Sequence, residues 1–259
     1  MVHFAAAQSF LNSPTGAPLA STDKEVRVVQ SMGAHLPSDA QFVDQNGRSV
    51  TIGELSAKKS LIVLPMFYRC RGVCALEYGN LLSSISKEST LKTGRDYDVV
   101  ILGIDPVEGP ELAKEKFSDA QKEFPNLLSD NGWHFLTGDL TNIRKVTDAL
   151  GFFYKYDAKN DLINHPTGIM FVSPPGVVSS YILDPKEFTK EGILKGVQTA
   201  EAHKVGAKAQ EAFFGCIHID PLTGKRSLVF EKVLRLAGVL FLIVGGAGIA
   251  FLSRKRTAR

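Results

Sequence analysis

Three side chains in this 259-residue chain have the types and spacing for thiol or soft-metal chemistry: Cys70, Cys74 and His165. The cysteines stand four apart in Phe67-Tyr68-Arg69-Cys70-Arg71-Gly72-Val73-Cys74, and the chain has one other, Cys216. Two thiols at this distance can close a disulfide or clamp a soft ion between their sulfurs. Cysteines so spaced also occur as small buried hydrophobes. Here Arg69 and Arg71 make an electropositive setting that lowers thiol pKa, and three cysteines in all are too few for a disulfide scaffold. His165 lies in Asp161-Leu162-Ile163-Asn164-His165-Pro166-Thr167-Gly168. A loop histidine by itself is commonly just solvated. On a loop leading into a strand beside the cysteine strand, it completes a set of two thiolates and one imidazole. That set suits Cu(I) and adapts to Cu(II), whereas structural zinc usually takes a fourth protein ligand.

The elements that must position these groups follow from pattern. Leu61 to Leu64 is an apolar run that reads as a buried strand leading to the thiols. A helix beginning near Cys70 would put both thiols on one face about a turn apart, the first beside open backbone N–H groups that favour thiolate. Leu76, Leu81, Leu82 and Ile85 recur at near-helical spacing, so the first helix carries Cys74 or starts just before it. Ala40 to Leu55 reads as a hairpin turning at Gln45-Asn46-Gly47. Beyond the thiols come a strand (Tyr97 to Ile104), a helix (Gly109 to Phe124) stopped by Pro125, a strand (Trp133 to Leu136), and an amphipathic helix through Leu150 with Thr141 as its N-cap. Short strands follow at Phe152 to Tyr156, Gly168 to Val172 and Val177 to Ile182, the last two joined at Ser173-Pro174-Pro175-Gly176, then a helix from about Lys186 to Ala202. Alternating strands and helices give a parallel-containing α/β sheet. The flanking hairpins make it a thioredoxin-like fold with an added N-terminal hairpin. There is no internal repeat. His134 and His203 read as structural. Glu77 and Tyr78, just after Cys74, are placed to tune the site, although such residues are more often simply solvated or packed.

With 44% apolar and 22% charged residues the chain can bury one sizeable core, so one main domain with appendages is expected. A formal charge of +3, dispersed along the chain, excludes nucleic acid as the expected partner. Leu236 to Leu252 carries no charged or strongly polar side chain. With Val233 and Leu234 it approaches the roughly 20 residues of a membrane span. Ser253-Arg254-Lys255-Arg256 abuts it as a cytoplasmic flank would, with Lys225, Arg226, Lys232 and Arg235 on the other side. Met1 to Ala20 has small residues suited to cleavage but no basic n-region and no sustained apolar h-region, so either the true start lies upstream, which is the expectation, or the chain reaches its compartment by another route. The expected organisation is a lead-in over 1–38, a domain over 39–205, a juxtamembrane linker over 206–232, a C-terminal transmembrane helix over 233–253 and a basic tail over 254–259.

The segment Phe67 to Cys74, then Gly103-Ile104-Asp105-Pro106, then His165-Pro166-Thr167-Gly168-Ile169-Met170-Phe171-Val172 with Pro175-Gly176 following, resembles the Sco/SenC family in order and approximate spacing over roughly Ala40 to Ala202. Its members are membrane-anchored, thioredoxin-like proteins that bind copper through a CxxxC pair and a distant histidine, and serve assembly of the binuclear copper centre of cytochrome c oxidase. The resemblance implies Cys70, Cys74 and His165 as copper ligands and Asp105 as an acidic residue near the site. Two departures stand out. Most members have proline after the first cysteine where this chain has Arg71, whose charge stabilises thiolate but opposes a bound cation, and their anchor is more often N-terminal. Cys216 to Lys225 looks like the juxtamembrane region of a bacterial subgroup with a C-terminal anchor, where Cys216 and His218 are either an auxiliary copper-handling pair or an incidental part of the linker.

The resemblance thus implies a metallochaperone on the inner membrane, its domain in the periplasm, with an oxidase copper-centre subunit and a thiol–disulfide reductant as partners. The alternative is a thiol–disulfide oxidoreductase that keeps a partner's cysteines reduced, with Cys70 and Cys74 as the reacting pair and His165 largely dispensable. A third reading is a tethered interaction protein with a vestigial metal site.

Overall fold

The computed structural model describes residues 26–210 apart from 71–72, 89, 129–130 and 158–161, together with Gly238. The chain divides into two units, Met1–Gly215 and Cys216–Arg259, and every strand and helix named here belongs to the first. In chain order these are β1 (Arg27–Val28), β2 (Gln41–Val43), β3 (Ser49–Thr51), α1 (Ile52–Ser56), β4 (Ser60–Met66), α2 (Val73–Ser86), β5 (Tyr97–Gly103), α3 (Pro110–Glu123), β6 (Trp133–Leu136), α4 (Leu140–Ala149), β7 (Phe152–Phe153), β8 (Lys155–Asp157), β9 (Leu162–Asn164), β10 (Ile169–Ser173), β11 (Val177–Ile182), a 3-10 turn at Pro185–Glu187, and α5 (Lys190–Glu201).

A five-stranded sheet in the order β11-β10-β4-β5-β6 organises the domain. β4, β5 and β6 run parallel, while β10 is antiparallel to β4 and to β11. All seven residues of β4 and all seven of β5 are buried. This is the condition of strands covered on both faces, and it explains why they read as unbroken apolar runs. Alternate residues feed two cores. Ile62, Leu64, Met66, Val99, Ile101, Ile169 and Phe171 pack with Leu81 and Leu82 of α2, Ala113 of α3 and Val197 of α5. Leu61, Val63, Val100, Leu102, Met170 and Val172 pack with Phe42, Ile52 and Ile143. A mixed sheet between two covering layers is the expected thioredoxin-like arrangement.

The expected hairpin is β2–β3. Asp44 accepts from the backbone N–H groups of Asn46 and Arg48, and Gly47 takes the turn's positive φ of 78°. Other expectations are corrected. The cap of α4 is Asp139, whose side chain accepts from Asn142 N, not Thr141, because the helix starts two residues earlier than the apolar period implied. The terminal helix is split into a 3-10 turn and α5, since Thr189 caps α5 afresh by accepting from Gly192 N. The lead-in contributes β1, paired with β7, and residues before His165 form β9, paired with β8. β1 is a two-residue strand whose partner lies far along the chain, whereas β8 and β9 are three-residue strands of one local hairpin, each too short to show an alternating pattern. The expected span over 233–253, the linker, the basic tail, Arg71, Cys216 and His218 lie outside the described residues, Gly238 excepted. Among the described residues no helix is long and apolar enough to cross a membrane.

Candidate metal centre

β4 ends at Met66, and the chain turns through Phe67 to Cys70 before α2 starts at Val73. Cys70 therefore precedes the helix, with its N–H bonded to Phe67 O at 3.2 Å, and the two thiols do not share a regular helical face. Cys74 sits in the first turn of α2 and is 3% exposed. There the open N–H end of the helix favours a thiolate. The Cα atoms of Cys70 and Cys74 are 6.1 Å apart and the sulfurs are joined as a disulfide.

His165 is brought to this pair by β10, which pairs with β4 in antiparallel register through Met170 and Val63. Its Nε2 lies 2.7 Å from Cys74 Sγ across 91 residues of sequence. Its Nδ1 is 2.8 Å from the carbonyl oxygen of Pro166. A carbonyl only accepts, so Nδ1 carries the proton and Nε2 turns its lone pair to the sulfur. Phe67 packs edge-on at 5.7 Å between ring centroids and Phe152 lies at 6.0 Å, which hold the ring in a buried position, 7% exposed.

Two buried carboxyl groups fasten the segments that carry these residues. Glu108, in the turn before α3, accepts from Tyr68 N at 2.7 Å and Arg69 N at 2.9 Å, which pins the turn ahead of Cys70. The Tyr68 hydroxyl, directed at Ile101 O and Leu136 O at 3.0 and 2.9 Å, anchors the same turn to the sheet. Burial, helped by the charge of Asp105, pushes the Glu108 carboxyl up to about 7 against the pull of those two N–H groups. Glu77, one turn along α2 from Cys74, accepts from Gly168 N at 2.8 Å, and burial pushes it up to about 8.

The structure thus brings Cys70, Cys74 and His165 together. Asp105 accepts from Val107 N at 3.1 Å in the turn that presents Glu108. Tyr78 turns into the core against Phe135. His134 lies 3.5 Å from Asp98, and the exposed His203 directs Nδ1 to Pro174 O. Glu108 was not singled out in the sequence. Its one signal is its place three residues after Asp105, in a turn preceding a helix.

Chemically, the oxidised pair is not a ligand set, and among the described residues no group of three or more His, Cys, Asp or Glu can hold a metal ion in this form. Reduction would expose two sulfurs beside an imidazole lone pair, a donor set of the softness Cu(I) prefers. In the reduced form the Cys74 thiol can also pass its proton to Nε2, which is the activation a thiol–disulfide exchange needs.

A sequence model described as SCO1/SenC matches residues 29–200 of the chain. No curated protein matches it. Among solved structures, two proteins from Aquifex aeolicus VF5, one named for electron transfer and one for electron transport, are similar to it at 24% and 25% identity. Each covers 66% of this chain, over 95% and 99% of its own length, with TM-scores of 0.57 and 0.54. A SCO1/SenC family lipoprotein from Bacillus anthracis str. Ames is similar at 22% identity, covering 65% of this chain and 95% of its own, with a TM-score of 0.53.

Proposed function

This chain belongs to the SCO1/SenC family, and from that premise we propose that it is a membrane-anchored copper-binding protein that delivers copper to, or matures, the binuclear copper centre of cytochrome c oxidase. The observation that carries the reading is the approach of His165 Nε2 to Cys74 Sγ at 2.7 Å, with Cys70 joined to the same sulfur. Cys70 and Cys74 supply thiolates and His165 a neutral imidazole. A partner dithiol first reduces the Cys70–Cys74 bond, giving two electrons and two protons and leaving as its own disulfide. Copper then displaces the thiol protons and passes to the oxidase subunit as ligands exchange one at a time. Burial of Cys74 and His165 keeps water from the ion. The Arg69 side chain beside Cys70 is exposed, so water screens its repulsion of a cation.

The organisation that suits this role has residues 39–205 as the copper-handling domain in the periplasm, 206–232 as a linker, 233–253 as a single inner-membrane span and 254–259 in the cytoplasm. Its support is the uncharged run Leu236 to Leu252 against the basic cluster at Arg254. A second reading, a thiol–disulfide oxidoreductase, is favoured by the closed Cys70–Cys74 bond. Copper titration of the reduced chain separates the two. The first reading expects one copper per chain and a thiolate–Cu(II) charge-transfer band, lost in Cys70→Ser and Cys74→Ser. His165→Ala should weaken binding and alter the band while thiol reactivity survives. A His165→Ala protein with native affinity and spectrum would remove the three-ligand site and leave the oxidoreductase.

A further inference from the structure

We infer that Glu77 is the positioning residue for His165, acting through the backbone N–H of Gly168. It is 1% exposed, it belongs to the helix that carries Cys74, and its Oε1 holds the N–H of a residue three beyond the imidazole at 2.8 Å. One side chain therefore couples the cysteine helix to the histidine loop. The residue before Gly168 is held as well, since Thr167 Oγ1 donates to Leu183 O at 2.9 Å. Gly168 has φ of 150°, and a Cβ there would meet Leu183 Cδ2 at 2.8 Å, so glycine is what lets the backbone come this close to Leu183 and to Glu77. Both ties follow directly on Pro166, whose carbonyl oxygen accepts from Nδ1 of His165. The tie to Glu77 thereby sets which ring nitrogen faces the sulfur. A partner one step removed from a metal ligand typically accounts for about 10–100-fold in affinity, and because Glu77 acts through backbone the lower end of that range is expected.

Glutamine can do the same work. With the carboxyl raised to about 8 by burial, Glu77 is mostly protonated at neutral pH, and an amide is its neutral isostere with the same accepting oxygen.

The copper readout rests on the function proposed above, whereas the ring-nitrogen readout does not. The full chain, reduced and in detergent, is labelled with 15N-histidine, and the ring correlations of His165 are compared in the native protein, Glu77→Gln and Glu77→Met. Native and Glu77→Gln proteins should show the Nδ1–H tautomer alone and equal copper affinity. Glu77→Met should show mixed tautomers and about tenfold weaker copper binding, with an unchanged far-ultraviolet circular dichroism spectrum. Should Glu77→Met fail to fold, Glu77→Asp, too short to reach Gly168 N, is read in its place. A native tautomer and native affinity in the truncating variant, or a loss in Glu77→Gln as large as in Glu77→Met, would overturn the assignment. Failure of the native chain to bind copper would count against the function alone, since the tautomer comparison still decides the role of Glu77.

Discussion

Replacing Glu108 by alanine should destabilise the domain in acid and do so far less in mild base. The carboxyl accepts from Tyr68 N and Arg69 N. Arg69 is exposed, so its N–H regains water. Tyr68 is 3% exposed and its N–H does not. An orphaned buried donor costs about 1–3 kcal/mol, and the lost packing of a methylene adds ~0.8 kcal/mol. The opposing effect is the burial that lifts the carboxyl from 4.5 to about 7. A folded pKa above the unfolded one means that this group's stabilising contribution is complete below about pH 4.5. It is lost as pH rises through 7, because the native protein must then hold a buried charge. At about 1.4 kcal/mol per pKa unit, ~2.5 kcal/mol of that loss falls between about pH 5 and pH 8. Glu108→Ala escapes it. The substitution should therefore cost ~2–3 kcal/mol at pH 5 and little at pH 8. Urea denaturation of the unit ending at Gly215, with its disulfide kept closed, measures this at both pH values. The raised carboxyl of Glu77 acts in both proteins and cancels. An equal cost at pH 5 and pH 8 would refute the buried-charge reasoning, and no cost at pH 5 would show that the Tyr68 N–H does not depend on Glu108.

Three further outcomes are expected. Gly151→Ala should cost about 2–4 kcal/mol in the same assay, because φ is 64° and the new Cβ would lie 1.8 Å from Val29 O. Loss of β1–β7 pairing, seen as fast amide exchange at Val29, marks the cause. Mild oxidation of the reduced domain should exclude copper and re-reduction restore it, since one pair of sulfurs serves both states. Full copper affinity with the Cys70–Cys74 bond verified intact would move the ligands elsewhere, to Cys216 and His218 first. A reporter fused after Arg259 should be active in the cytoplasm, and activity only in the periplasm would reverse the orientation.

Much of the fold was legible because the central strands are buried on both faces. Leu61 to Leu64 and Tyr97 to Ile104 needed no alternation to be read as strands, and Asn46-Gly47 marked its hairpin through a backbone conformation that few residues adopt. The ligand types were legible too, since only thiols and imidazoles offer soft donors, and their motifs carried the family resemblance. The start of α2 just before Cys74 was legible as well, but the alternative start near Cys70, with both thiols on one helical face, could be ruled out only by the structure. Cys70 stays outside the helix because the turn from Phe67 to Cys70 is held by Glu108, 38 residues beyond Cys70 in the chain. Nor could the sequence mark Glu77 and Glu108 as different from solvated glutamates. A carboxyl becomes buried, raised in pKa and committed to a backbone N–H only through what folds over it, and its partners Gly168, Tyr68 and Arg69 come from other segments. The same holds for the meeting of His165 with Cys74. The residue types were set by the sequence, but the 2.7 Å between Nε2 and Sγ exists because β10 pairs with β4, and strand pairing is a property of the assembled sheet.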